Sequence, residues 1–115
     1  MTDTETVVAE LKDLVAGFVR EREWERFHTP KNLSMAIAIE AAELMEHFQW
    51  ETPESSWELV RDPGTLHAVS LEIADIVIYA LSLCNRLQID LATAIVEKLQ
   101  LNAQKYPKEQ YRGRY

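Results

Sequence analysis

Residues 68–84 read AVSLEIADIVIYALSLC and residues 35–45 read MAIAIEAAELM. Each stretch is apolar on almost every side. Each carries two acids and no base: Glu72 and Asp75 in the first, Glu40 and Glu43 in the second. The β-branched run Ile76-Val77-Ile78 would suit a strand, but the length of the apolar stretch and its flanking pattern favour a helix. Helices that are apolar all round belong in an interior. Two such helices organise the chain, and the remaining elements follow from the punctuation around them.

Thr29-Pro30 is a helix-start signal, with Thr as N-cap and Pro in the first turn, and predicts a second helix running to about Gln49. Ahead of it, Val7, Val8, Leu11, Leu14, Val15 and Phe18 recur at helical spacing. Thr2 and Glu5 resemble a capping box before that stripe, so a first helix is expected from about Asp3 to about Glu25. Thr52-Pro53 and Asp62-Pro63-Gly64 leave room for a short helix between them, and the third long helix spans about Thr65 to Leu87. Asp90 reads as the N-cap of a fourth, with Ala92, Ile95, Val96 and Leu99 on its apolar face and Pro107 at its end. The expectation is all-α: a four-helix bundle in one domain, residues 1–107, with a polar tail at 108–115.

Composition narrows the function. A chain of 115 residues is the size of one domain, and 47% apolar with 27% charged residues is a globular makeup. With 12 Lys and Arg against 19 Asp and Glu, the net charge of −7 disfavours generic nucleic-acid binding, which needs clustered cations. The single cysteine, Cys84, cannot form an intrachain disulfide or a Cys-rich zinc site. The opening MTDTETVVAE has neither a basic nor an apolar signal region, and no charge-free stretch of about 18 residues occurs. The expectation is a soluble, cytoplasmic protein with no membrane partner.

The chemistry rests on the acids. Glu40 and Glu43 are three residues apart, as are Glu72 and Asp75, so each pair shares one helical face. An acidic pair at this spacing is ordinarily a solvated face. Two pairs isolated in apolar helices are different, because a buried carboxylate must be paired, protonated or bound to metal. Few cations lie near: Lys31 and Arg86 fall at helix ends, and His47 is the one basic group on the Glu40 face. Hard oxygen ligands suit Mg²⁺, with Mn²⁺ as a substitute. Tyr79 and Ser82 continue the Asp75 stripe, and Glu46 extends the second-helix series as a second metal contact, a base or a solvent-facing acid. A di-iron bundle would need Glu-x-x-His motifs on two helices, which neither acidic helix provides.

The pair Glu40/Glu43, followed after 28 intervening residues by Glu72/Asp75, resembles the MazG-like all-α nucleoside triphosphate pyrophosphohydrolases. The stretch FVREREWERFHTPKNL (18–33), the run Phe48-Gln49-Trp50, Ile78-Tyr79, and Lys98, Asn102 and Lys105-Tyr106-Pro107 resemble the dCTP pyrophosphatase branch. The resemblance implies a Mg²⁺-dependent enzyme releasing a nucleoside monophosphate and pyrophosphate, acting on dCTP or related pyrimidine deoxynucleotides in nucleotide pool sanitisation. It implies that Glu40, Glu43, Glu72 and Asp75 hold the metal. His28, Trp50 and Tyr79 would line a nucleoside pocket, and Lys98, Asn102, Lys105 and Tyr106 would lie near phosphates or sugar. It further implies a homo-oligomer, dimer or tetramer, with sites near subunit interfaces. Glu43 or Glu46 would activate water, joining Glu40 in the catalytic set.

The supporting residues have plainer readings too. Trp24, Phe27 and Trp50 suit a core or interface as well as a stacking platform, His28 could cap carbonyls, and Lys98 with Lys105 could be a solvated face. Lys31 and Asn32 sit in a first helical turn, where anions are favoured. His47, the 51–66 link and the less basic Ala103 and Gln104 depart from the dCTP pyrophosphatase pattern and bear on the preferred base and the phosphate grip. The rivals are a non-catalytic helical oligomer or partner-binding module, and the same fold acting on dUTP, purine triphosphates or phosphoribosyl-ATP.

Overall fold

The Thr-Pro and Asp-Pro punctuation sets the helix starts. In the computed structural model, which describes residues 1–114, the helices are α1 (Val8–Glu21), α2 (Pro30–Glu46), α3 (Pro53–Leu59), α4 (Pro63–Leu87), α5 (Leu91–Lys105) and α6 (Lys108–Tyr111), with a 3-10 turn at Glu25–Phe27. Four N-caps satisfy a first-turn amide with a side-chain oxygen. Thr29 accepts from the Asn32 amide at 3.1 Å and Thr52 from Ser55 at 3.0 Å. Asp62 accepts from Thr65 and Asp90 from Thr93, each at 2.9 Å. Ile76, Val77 and Ile78 lie inside α4, so length decided against strand geometry.

Several boundaries differ from expectation: α1 ends at Glu21 rather than about Glu25, and α2 at Glu46 rather than about Gln49. Thr2 does not start α1; it closes a turn, with its carbonyl accepting from the Glu5 and Thr6 amides. The helix starts at Val8, and the reciprocal half of a capping box comes from Glu10, whose carboxylate accepts from the Val7 amide at 3.1 Å. At the other end, Pro107 does stop α5, but residues 108–111 of the expected polar tail form the single turn α6. Helix α4 closes on Gln88 in the left-handed region (φ 55), with no glycine to mark it.

Helix α4 is the hub. It packs along α2 and, less extensively, along α1, while α5 touches the rest sparsely. The α1–α4 contact is pinned at one end: Asn85 donates its side-chain amide to the Lys12 carbonyl at 2.9 Å, and Lys12 Nζ donates to the Ile89 carbonyl at 2.8 Å. The interior is small: Val19 from α1, Leu33 from α2, and Val69, Leu81 and Cys84 from α4. The expectation that α2 and α4 are interior all round is therefore not met within one chain; Met35, Ile39, Leu71, Ile73, Val77 and Ile78 are all exposed.

The dimensions say the same. A compact monomer of 13.3 kDa exposes about 6,500 Å², whereas this chain exposes 9291 Å². Its radius of gyration is 17.1 Å, against about 13 Å for a compact domain of this length. Helix α4 is also long and apolar enough, by length and composition alone, to cross a bilayer. Its acids Glu72 and Asp75 and its packing along α2 are equally those of a core helix whose apolar face awaits a neighbour.

Candidate metal centre

The α2–α4 contact brings the acids together. One carboxylate oxygen each from Glu40, Glu43 and Glu72 lies within 4.8 Å of the others. Glu40 Oε2 and Glu72 Oε2 are inaccessible to solvent and have no hydrogen-bond partner. The Glu40 carboxyl is pushed up from 4.5 to about 7. Burial is the main cause, followed by the crowding of the neighbouring carboxyls, Glu43 first and then Asp75 and Glu72. Asp75 lies outside the tight trio yet close enough to press its charge on Glu40, while its own side chain and that of Glu43 reach solvent.

Orphaned buried oxygens crowded by like charge are a costly arrangement without a cation. The donor set is all carboxylate oxygen, so it fits a hard divalent ion such as Mg²⁺ or Mn²⁺ and offers nothing to a thiophilic one. The chain's one Glu-x-x-His, Glu25 and His28, spans the 3-10 turn and the residue after it, off both acidic helices.

Tyr79, four residues after Asp75 on α4, belongs to an aromatic group. His28 and Tyr79 have ring centroids 6.4 Å apart, and Trp24 stacks with His28 at 6.5 Å. Phe18 meets Trp24 edge-on at 5.8 Å. The His28 ring does not cap carbonyls; its Nδ1 lies 2.8 Å from Ser82 Oγ on α4. Its pKa is lowered, by burial first and then by the positive charge of Arg86, with Glu25 opposing. Asn32 spends its side-chain amide on the Phe27 carbonyl at 3.0 Å, holding the turn before α2 rather than facing outward.

The remaining expected site residues are not gathered within this chain. Glu46 is exposed as the last residue of α2 and is outside the trio. Trp50 is 89% exposed in the turn that follows. Lys98, Asn102 and Lys105 lie on the sparsely packed α5. Tyr106 caps that helix, with Lys105 Nζ 5.3 Å from its ring centre and Tyr111 meeting it edge-on at 5.2 Å. The contacts of Trp24 and Ser82 with His28, which pair the 3-10 turn region with α4, have no signal in the sequence.

Fold and site together define an all-helical protein in which two facing helices present a carboxylate cluster beside an aromatic shelf. Residues 35–114 match the MazG-like family, and the chain belongs to it. A pyrophosphatase of known structure from Archaeoglobus fulgidus is similar across 94% of this chain and 99% of its own, with 39% identity and a TM-score of 0.81. The dCTP pyrophosphatase 1 of Rattus norvegicus is 36% identical over 109 residues, and that of Homo sapiens 36% over 103. These alignments take in 95% and 90% of this chain but 64% and 61% of those proteins, so the chain spans just under two thirds of the curated relatives it matches. The dCTP pyrophosphatase branch of the family is the one its relatives support.

Proposed function

We propose that this chain is a nucleoside triphosphate pyrophosphohydrolase acting on dCTP or a related pyrimidine deoxynucleotide in the cytoplasm. The observation that carries the reading is the convergence of Glu40, Glu43 and Glu72 oxygens within 4.8 Å, with two of those oxygens buried and unpartnered. The relatives' names, dCTP pyrophosphatase 1 and pyrophosphatase, supply the substrate class and the bond cleaved.

Glu40, Glu43, Glu72 and Asp75 would hold Mg²⁺, which when bound would neutralise phosphate charge. That matters in a chain of net charge −7, which otherwise repels a triphosphate. Glu43 or Glu46, the exposed acids of α2, accepts a proton from the attacking water. The water oxygen bonds to the α-phosphorus, the bond from that phosphorus to the bridging oxygen breaks, and pyrophosphate leaves with the electron pair. His28 and Tyr79 shelve the nucleoside beside this centre.

A second copy completes the molecule. The excess of exposed surface over a compact monomer is about 2,800 Å², the scale of an obligate interface. Helix α5 presents Ile95, Val96, Leu99 and Leu101 without an intrachain partner element of any extent. Docking that face on another protomer closes the four-helix arrangement and brings Lys98, Asn102, Lys105 and Tyr106 toward a neighbour's phosphates, with Trp50 covered in the same contact. The apolar faces of α4 are covered in the oligomer rather than by lipid.

The test is a substrate panel. Purified protein is incubated with the common nucleoside triphosphates, dUTP and 5-methyl-dCTP, with Mg²⁺ or with EDTA, and pyrophosphate and orthophosphate are measured separately. Mg²⁺-dependent pyrophosphate release led by a pyrimidine deoxynucleotide is expected. Orthophosphate release would overturn the cleavage position. Silence across the panel would overturn the enzyme reading in favour of a non-catalytic helical oligomer.

A further inference from the structure

Among the described residues, Ser82 is the one buried polar residue, 3% exposed on α4. It lies three residues after Tyr79 and seven after Asp75, on the same stripe of the helix. Its hydroxyl is 2.8 Å from His28 Nδ1, across 54 residues of sequence. Other helical serines send their hydroxyls back to a carbonyl three residues earlier: Ser34 to Lys31, Ser56 to Pro53 and Ser70 to His67. Ser82 makes no such bond, nor any second one, among the described residues.

That difference fixes the proton. If Nδ1–H donated to Ser82 Oγ, the buried hydroxyl hydrogen would be left with no acceptor, a costly state. If the hydroxyl donates to Nδ1, both groups are satisfied and the neutral ring carries its proton on Nε2. Burial and the nearby Arg86 charge favour the neutral ring, with Glu25 opposing. Trp24 and Tyr79, with ring centroids 6.5 and 6.4 Å from that of His28, crowd the ring.

We propose that Ser82 is a positioning residue: its hydroxyl donates to His28 Nδ1, locks the Nε2–H tautomer, and so presents one fixed neutral donor to an oxygen acceptor of the bound nucleotide. The inference rests on the nucleotide-binding reading above for its last step and on the geometry alone for the tautomer. A neutral donor of fixed direction discriminates where a free imidazole would not, because an imidazole able to exchange tautomers can serve as donor or acceptor.

The experiment has two readouts. The first is the long-range ¹H–¹⁵N spectrum of the His28 ring in the full-length, unliganded protein, assigned by its loss in His28→Gln. The expected pattern is an unprotonated Nδ1 and a protonated Nε2. A protonated Nδ1 in the parent overturns the proposal without any variant. Ser82→Ala should give a mixture of tautomers, and Ser82→Cys, a weaker donor of similar size, an intermediate pattern; an unchanged pattern in Ser82→Ala overturns it.

The second readout is steady-state kinetics. Loss of one such bond raises KM about fivefold to tenfold in Ser82→Ala, with kcat within about twofold. A penalty seen only with pyrimidine triphosphates names a base carbonyl as the acceptor. A penalty shared by purine triphosphates names a phosphate or sugar oxygen. In the His28→Gln background the Ser82→Ala penalty should vanish; a penalty that persists there shows that Ser82 does not act through His28 and overturns the proposal, as does an unchanged KM in Ser82→Ala. A parent protein that releases no pyrophosphate sinks the enzyme reading and with it the nucleotide step, while the spectrum still decides the tautomer.

Discussion

Replacing Glu40 by Gln should make the metal-free protein more stable at pH 8 and leave it nearly unchanged at pH 5. The cause is the carboxyl that folding pushes from 4.5 to about 7. Between those two pH values the folded chain holds a proton that the unfolded chain has released. The protonated group's contribution to stability is therefore complete below pH 4.5 and lost as pH rises through about 7. At pH 8 the parent bears the whole penalty of a charged Glu40 among Glu43, Glu72 and Asp75. At about 1.36 kcal/mol per pH unit, the displacement sets a ceiling of about 3 kcal/mol. Glu40 keeps some solvent contact, and screening reduces this to about 1–2 kcal/mol. Gln keeps the shape, removes the charge and does not titrate. For a domain of this size the gain is a rise of about 4–8 °C in Tm at pH 8 in EDTA. Calorimetry of parent and variant at both pH values, with EDTA and then with excess Mg²⁺, makes the comparison. Mg²⁺ should raise the parent's Tm at pH 8 and the variant's much less. A variant less stable than the parent at pH 8, or an equal difference at both pH values, would refute the account of like-charge crowding.

Three other outcomes follow from the same structure. Asp75→Asn should lower pyrophosphate release at least about a hundredfold while leaving helix content unchanged, since Asp75 faces the trio without touching the core; retained Mg²⁺-dependent turnover would remove it from the ligand set. Val96→Glu, on the exposed face of α5, should shift the protein to a smaller species in sedimentation, because a charge placed in an apolar interface is left unpaired; an unchanged mass would free α5 from that interface. The Asp90 carboxyl is held below its ordinary 3.8 by its backbone and side-chain hydrogen bonds to Thr93, so its contribution to stability is present above that pH and lost as pH falls through its lower folded value. The stability gap between parent and Asp90→Ala should accordingly narrow as acid titration runs below pH 3.8, and a gap independent of pH would assign the cap's effect to packing.

Much of the fold was legible because its signals are local. Thr29-Pro30, Thr52-Pro53, Asp62-Pro63 and Asp90 each start a helix where a side-chain oxygen meets a first-turn amide, and a local geometry needs only a local sequence. The acid trio was legible for a related reason. Helical periodicity fixes Glu40 with Glu43, and once α2 lies along α4, Glu72 has nowhere else to face. What escaped was either degenerate or distant. Thr2 with Glu5 and Val7 with Glu10 are competing starts for one apolar stripe, and the tertiary position of α1 on α4 selects the later one. The end of α4 carries a left-handed Gln88 instead of glycine, so its stop had no compositional mark. The His28–Ser82 bond joins a turn to a helix across 54 residues, and nothing in either local pattern points to the other.

The expectation that failed, burial of α2 and α4 within one chain, bears also on the substrate contacts proposed for α5. An apolar helix predicts that something covers it, not that the same chain does. Here α5 stands off the chain's own core; Lys98, Asn102 and Lys105 share a stripe with Ile95, and Leu99 and Val96 lie further round the helix. In the oligomer proposed above, the same helix would cover a neighbour's apolar surface and deliver positive charge to its acid cluster. Burial and phosphate binding then depend on one contact. Dilution into monomers should therefore cost stability and substrate affinity together, and a concentration series in which the two separate would show that α5 serves only one of them.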